Sequence, residues 1–212
     1  MNKMIFAVLA LLLLCPPVFA DEELQKVSVL VETSANKILA ALKDKTLERE
    51  AKRKPVMAEV DRLFDMERMA KLVLGPTNWK RFDEKQRAQF TELFVRLLKD
   101  SYFEKVDLLS DEKIEFGKPA WEEKKIHMSA FILSKDKRYE MIYKLYKKGS
   151  GWKAYDVEIE GISVVRSYRS QYEQFLRDGT PQELLVKMKE KSLAAPAAFQ
   201  KKDGDKPQEK KP

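Results

Sequence analysis

Few residues in this chain have types and spacing that could do chemistry. Its one histidine, His127, sits in a run of alternating apolar and polar residues. Its one cysteine, Cys15, lies in an apolar stretch near the N-terminus. Once that stretch is removed, Cys–His catalysis and zinc sites built from several His or Cys ligands are excluded. Gly149-Ser150-Gly151 lacks the spacing of a phosphate-cradling loop and reads as a turn. Glu158 and Glu160 stand two apart on an extended segment, with Asp156 on the same face, and could form a carboxylate pair for acid–base work. The plainer reading makes them an outward, solvated face opposite Val157 and Ile159. Arg166 and Arg169 open two readings as well. Guanidinium matches a phosphate well, so either could meet a phosphate group on a ligand. Alternatively, one pairs with Asp156 and fixes a corner of the fold. No catalytic set, metal site or cofactor site emerges.

The N-terminus decides where such residues would work. Lys3 precedes an apolar run from Met4 to Leu14, then Pro16-Pro17 and Val18-Phe19-Ala20. A basic start, a short apolar core and a small residue at the cut describe a secretory signal peptide, with cleavage expected after Ala20. The run is too short to remain as a spanning helix. Lipid attachment at Cys15 would want a small residue before it, and Leu14 is large. Cleavage after Ala20 removes Cys15, leaving no disulfide or thiol chemistry. The net charge of +7 falls by one with Lys3. That charge suits anionic lipid surfaces, or simply a solvated exterior. Basic residues interleaved with aromatics could bind nucleic acid, but export separates the chain from it.

At 212 residues, 44% hydrophobic and 35% charged, the chain suits one globular domain. The elements that must position the candidate residues follow from periodicity. A helix is expected over 22–44, with Leu24, Val27, Val31, Ala35, Ile38 and Leu42 on one side. A basic patch follows (Lys43, Lys45, Arg49, Lys52, Arg53, Lys54), able to dock an acidic partner or an anionic membrane. Pro55 is expected to start a helix through Leu63, with Val56, Met57, Val60, Leu63 and Phe64 inward. Asp65 caps a short helix, 66–74, that Gly75-Pro76 stops. Trp79 and Phe82 fall in a connector. Asp83 caps a long helix, 84 to about 109, with Gln86 completing a near capping box. Four strands follow, over 114–118, 126–133, 138–146 and 152–160, joined by hairpins into an antiparallel sheet. A helix over 162–177 and a last one over 182–191 close the fold. Helices, then strands, then helices make an α+β order: a curved four-stranded antiparallel sheet against a layer of helices, with NTF2-like elements. Residues 193–212 are too polar to bury a core and are expected to be a disordered basic tail.

Two stretches carry a resemblance. WKAYDVEIEGISVVRSYRSQYEQFL (Trp152–Leu176) holds Trp-Lys-x-x-Asp-Val, Glu-Gly-x-Ser and Tyr-Arg-Ser-Gln. LVLGPTNWKRFDEKQRAQFTELFVRLLKDSY (Leu72–Tyr102) holds Leu-Gly, an aromatic, then Gln-Arg-x-x-Phe. Together these resemble the MlaC-like family of periplasmic phospholipid carriers, also called the toluene-tolerance auxiliary family, over roughly residues 21–191. The resemblance implies a single lipid-binding domain, 21–192, in the periplasm. It implies a phospholipid ligand, no enzymatic activity and no cofactor. It also implies two partners: an inner-membrane ABC-type lipid transporter complex and an outer-membrane lipoprotein–porin complex.

The resemblance also implies a deep apolar pocket. Periodicity then nominates its lining: Val73, Leu74, Trp79, Phe90, Phe94, Leu97, Tyr102, Phe131, Met141, Tyr143, Tyr155, Val157, Ile162, Val165 and Tyr168, with Arg166 and Arg169 at the headgroup. Taken without the resemblance, the same residues read as a filled core. Each exposed CH₂ costs about 0.8 kcal/mol, so two acyl chains, on the order of 30 such groups, face roughly 20 kcal/mol or more in water. A carrier therefore needs an interior nearly as apolar as a bilayer. Two alternatives stand: a carrier of another lipid, such as a hopanoid-related one, and an exported adaptor with a filled core and no ligand.

Overall fold

A computed structural model of the chain describes residues 18–106, 112–134 and 137–190. The expected tail and most of the expected signal segment lie outside them, as do Lys135, Asp136 and the expected helix end near Leu109.

Among the described residues there are six helices and six strands: α1 Val18–Lys43, α2 Arg49–Leu63, α3 Met66–Arg81, α4 Glu84–Val106, β1 Lys113–Phe116, β2 Ala120–Glu122, β3 Lys125–Ser134, β4 Lys137–Lys148, β5 Gly151–Ile159, β6 Ile162–Ser163, α5 Val164–Asp178 and α6 Pro181–Lys189. The architecture is α+β, as the sequence implied. The sheet is antiparallel throughout, in the order β1-β3-β4-β5-β6, with β2 pairing β3 beyond the end of β1. It has six strands, not four. β2 has three residues and β6 two, too few for alternation to register. A register shift between Lys144 and Leu145 adds a bulge to the β4–β5 pair and local twist with it.

Several boundaries follow local chemistry. Asp65 accepts from the Arg68 amide at 3.0 Å and starts α3. Asp83 and Gln86 cap α4 reciprocally: Asp83 Oδ1 accepts from the Gln86 amide at 2.8 Å, and Gln86 Oε1 from the Asp83 amide at 3.1 Å. Gly75, at φ 68° and ψ 167°, breaks α3 where the sequence predicts a stop. The chain re-enters a helical turn afterwards, so Trp79 lies in helix instead of a connector. Pro55 does not open α2. That helix starts at Arg49, and Pro55 lies inside it on the exposed side.

The end of β5 also differs. Glu160 and Gly161 both take positive φ, 49° and 77°, and form a two-residue turn into β6. Ile162 is therefore strand, and α5 begins at Val164 behind the cap Ser163, whose hydroxyl accepts from the Arg166 amide.

The main core joins α1, α3, α4, α5 and α6 to one face of β3–β5, with Phe90, Phe94, Tyr168 and Tyr172 fully buried at its centre. A second, smaller cluster joins the ends of α1, α2 and α4: Leu42, Val56 and Phe103, flanked by Ile38, Ala41 and Met57.

Candidate functional site

The two clusters do not close on each other. Between them lies an apolar cavity of about 110 Å³. α2 supplies one wall with Val56, Met57 and Val60, one helical stripe at i, i+1 and i+4, and α1 adds Ile38. The floor is the inner face of the sheet: Met141 and Tyr143 on β4, Val157 on β5. Met66 and Met69 of α3, and Leu98, Lys99 and Phe103 of α4, form the remaining sides.

Phe64 anchors one end. The chain leaves α2 in an extended conformation there, and Phe64 bridges to Ala154 beside β5, with the Asp65 amide donating to the Ala154 carbonyl at 2.8 Å. This splice brings the Phe64 ring to 6.1 Å from Tyr143. It is held from outside, because Asp65 also accepts from Lys148 Nζ at 2.6 Å and from the Tyr146 hydroxyl. Burial in this apolar setting pushes the Tyr143 hydroxyl up to about 12, so it stays neutral.

Lys99 is the one charged side chain in that lining. Its Nζ lies 2.7 Å from Asp61 Oδ2 on α2. Arg53, also on α2, pairs with Asp100 of α4, and its guanidinium sits 5.1 Å over the Phe103 ring. Two ion pairs thus tie α2 to α4, the two helices that wall the slot. Of the remaining basic patch, Lys52 donates to the Leu42 carbonyl at 2.8 Å, while Lys43, Lys45 and Lys54 are exposed.

The resemblance implied a deep apolar pocket between sheet and helices; the cavity lies between those layers and measures about 110 Å³. A family model described as MlaC protein matches residues 32–190. The chain belongs to the MlaC family. A solved structure from Ralstonia solanacearum, described as a phospholipid-binding protein in complex with a phospholipid, is similar in fold. Its TM-score is 0.68 at 20% identity, over 78% of this chain and 96% of that one. No curated protein matches the chain.

Within this MlaC fold, the residues nominated from sequence separate into groups. Met141, Tyr143 and Val157 come together in the slot. Val73, Leu74, Phe90, Phe94 and Tyr168 lie in the main core, packed on one another. Phe90 stacks on Phe94 at 6.1 Å, and Tyr168 meets Phe94 edge-on at 5.4 Å. Leu97 and Val165 are half-buried against that core, outside the slot lining. Trp79 is half-buried with Lys71 and Arg87 over its ring, at 5.8 and 5.4 Å.

Others face away from the core. Phe131 sits on the opposite face of β3 from Ile126, Met128 and Ala130, under the Arg138 guanidinium at 3.7 Å. Tyr155 packs on Tyr146 at 6.1 Å, with Lys125 5.0 Å from its ring. Ile162 is 44% exposed. The side chain of Tyr102 lies outside the described residues.

The polar candidates resolve differently from their sequence readings. Arg166 and Arg169 are exposed on α5, and neither lines the slot. Arg169 pairs with Glu173 at 2.7 Å instead of with Asp156. Asp156 accepts from the Ser163 hydroxyl at 2.6 Å and the Val165 amide at 3.0 Å, so the corner is fixed without an arginine. Glu158 and Glu160 do not share a strand face. Glu158 pairs with Lys144, and Glu160 sits in the turn, accepting from the Glu140 amide. His127 is half-buried; desolvation first, then the Lys144 charge, lowers its pKa.

Sequence reasoning left most of the slot unnamed. Val56, Met57, Val60 and Phe64 were legible as one inward face. Nothing local marked that face as standing off from the sheet.

Proposed function

We propose that the chain is an exported phospholipid carrier that holds acyl chains in the slot between α2 and the β4–β5 floor. Residues 21–192 form the carrier domain, freed by cleavage after Ala20, with 193–212 as a polar tail. It takes up one diacyl phospholipid and passes it between an inner-membrane ABC-type complex and an outer-membrane lipoprotein–porin complex, without catalysis.

The observation that carries this reading is the slot itself, an apolar void between two hydrophobic clusters where a sealed core would be expected. Membership of the MlaC family and the fold shared with the phospholipid-bound Ralstonia protein support it. A cavity of about 110 Å³ is smaller than the roughly 150 Å³ cavity that admits benzene. Two acyl chains therefore require the walls to part. Four methionines, Met57, Met66, Met69 and Met141, line the slot, and their unbranched thioethers repack at low cost. No described helix is long and apolar enough to cross a membrane.

Organic extraction of the purified exported protein, followed by mass spectrometry, tests the reading. A stoichiometric diacyl phospholipid is expected, with uptake of a fluorescent phospholipid from vesicles. Recovery of a different lipid would redirect the reading to another cargo. No lipid and no uptake would leave an adaptor with an empty slot.

A further inference from the structure

The slot accounts for acyl chains and leaves the phosphate unassigned. Arg166 and Arg169, on the exposed face of α5, do not border the slot. One cation does, and two more, Arg53 and Arg49, lie over a ring of the lining, at 5.1 and 5.9 Å from Phe103. Lys99 contributes to the lining itself, and its side chain is 20% exposed. Arg53 lies over Phe103, which also lines the slot, and is 31% exposed. Each is partnered by a carboxylate from the facing helix: Lys99 of α4 by Asp61 of α2, and Arg53 of α2 by Asp100 of α4. Arg53 and Asp61 are eight residues apart, about 12 Å along α2, while Lys99 and Asp100 are adjacent. The two pairs therefore join α2 to α4, two of the walls that would have to part for tails to enter.

Resting on the carrier reading, we infer that Lys99 and Arg53 are the headgroup-phosphate site, and that Asp61 and Asp100 are the carboxylates a phosphate displaces. The chemistry is exchange of one oxyanion for another. Arg and Lys bind carboxylate and phosphate by the same charge-assisted hydrogen bonds. The pairs are partly exposed, so each is weak as a structural clamp and yields readily. Displacing them removes two ties between α2 and α4. Arrival of the phosphate and parting of the walls are then one event. A lipid with a phosphate opens its own slot, while a lipid with identical tails and no phosphate must open it against both pairs.

The test measures uptake from phosphatidylcholine vesicles of two fluorescent probes with the same tails, a phosphatidylglycerol and a diacylglycerol. The protein is expected to prefer phosphatidylglycerol by on the order of tenfold. Arg53→Gln with Lys99→Gln should abolish the preference. Asp61→Asn, which breaks the same pair but spares the cation, should increase it. A purely structural pair predicts the same change for Asp61→Asn and Lys99→Gln, and that outcome overturns the assignment. Equal uptake of both probes by the unaltered protein overturns it too, while leaving the carrier reading standing. Uptake of neither probe fails the carrier reading first. Excess inorganic phosphate should not displace loaded phosphatidylglycerol; displacement would make this a free-phosphate site and reject the headgroup.

Discussion

The hydroxyl of Ser163 donates to Asp156 Oδ2 at 2.6 Å across the corner where β5 gives way to α5. Asp156 Oδ1 accepts from the Val165 amide at 3.0 Å, and Ser163 Oγ itself accepts from the Arg166 amide. One buried carboxylate and one buried hydroxyl thus satisfy the first amides of α5. Asp156→Ala would leave the hydroxyl and the Val165 amide without this acceptor, at about 2–3 kcal/mol. Ser163→Ala, a lost N-cap, should cost about 1 kcal/mol. Urea unfolding of both variants checks the order. Equal and negligible shifts would mean that solvent replaces Asp156, contrary to its burial.

A second corner depends on a missing side chain. Gly75 combines φ 68° with ψ 167°, a region that only glycine occupies without strain of about 1–3 kcal/mol. A Cβ built there would lie 3.1 Å from Cζ, Nε and Nη2 of Arg169. Gly75→Ala should therefore destabilise through both backbone strain and crowding. Crowding disappears in an Arg169→Ala background, so the double-mutant cycle should show coupling of at least about 0.5 kcal/mol. Strict additivity would assign the whole cost to the backbone.

Local chemistry was legible in the sequence wherever a few adjacent residues decide the structure. Asp65 and Asp83 as caps, the break at Gly75 and the inward row Ile126, Met128, Ala130 and Ile132 all depend on spacing of two to four residues. The start of α2 depends on nothing comparable. Arg49 to Lys54 carries no apolar stripe, so Pro55 looked like a beginning when it is a tolerated interior residue. Tyr155 and Phe131 show a different limit. Both are aromatic and strand-forming, but alternation and a bulge put them on the outer face under cations. The slot was the hardest feature to read, because periodicity identifies which side of α2 is apolar. Whether that side meets the sheet or stands off from it is set by Phe64, whose bridge to Ala154 spans ninety positions of chain.

Acid should loosen the fold by a predictable route. Burial acts first on Asp65 and would raise its pKa, but Lys148, the Tyr146 hydroxyl and the Arg68 amide outweigh it, and the net shift is downward. Glu23 is lowered to about 2, chiefly by Lys147, then by the Trp152 indole and Lys26. A carboxylate with a lower pKa folded than unfolded favours the folded state when ionised. Its contribution is full above the unfolded value near 4 and is lost as pH falls through the folded one. Urea midpoints should therefore decline between about pH 4 and pH 2. Glu23→Gln with Asp65→Asn should flatten that decline. An unchanged slope in the double variant would place the acid sensitivity elsewhere.

The α2 wall provides the most direct probe of the slot. Met57 is half-buried with its side chain in the cavity, so a carboxylate there would confront acyl chains with a charge. Met57→Glu should reduce phospholipid loading by more than tenfold, since an unpaired charge against hydrocarbon costs several kcal/mol. Met57→Trp keeps the surface apolar and fills the void, and should block loading by volume alone. Ile162→Glu is the matched control: it places the same charge on β6, 44% exposed and outside the slot lining. Loading is measured by extraction and mass spectrometry, with circular dichroism confirming the fold. If folded Met57→Glu and Met57→Trp both load like the parent, the tails do not lie between α2 and the sheet.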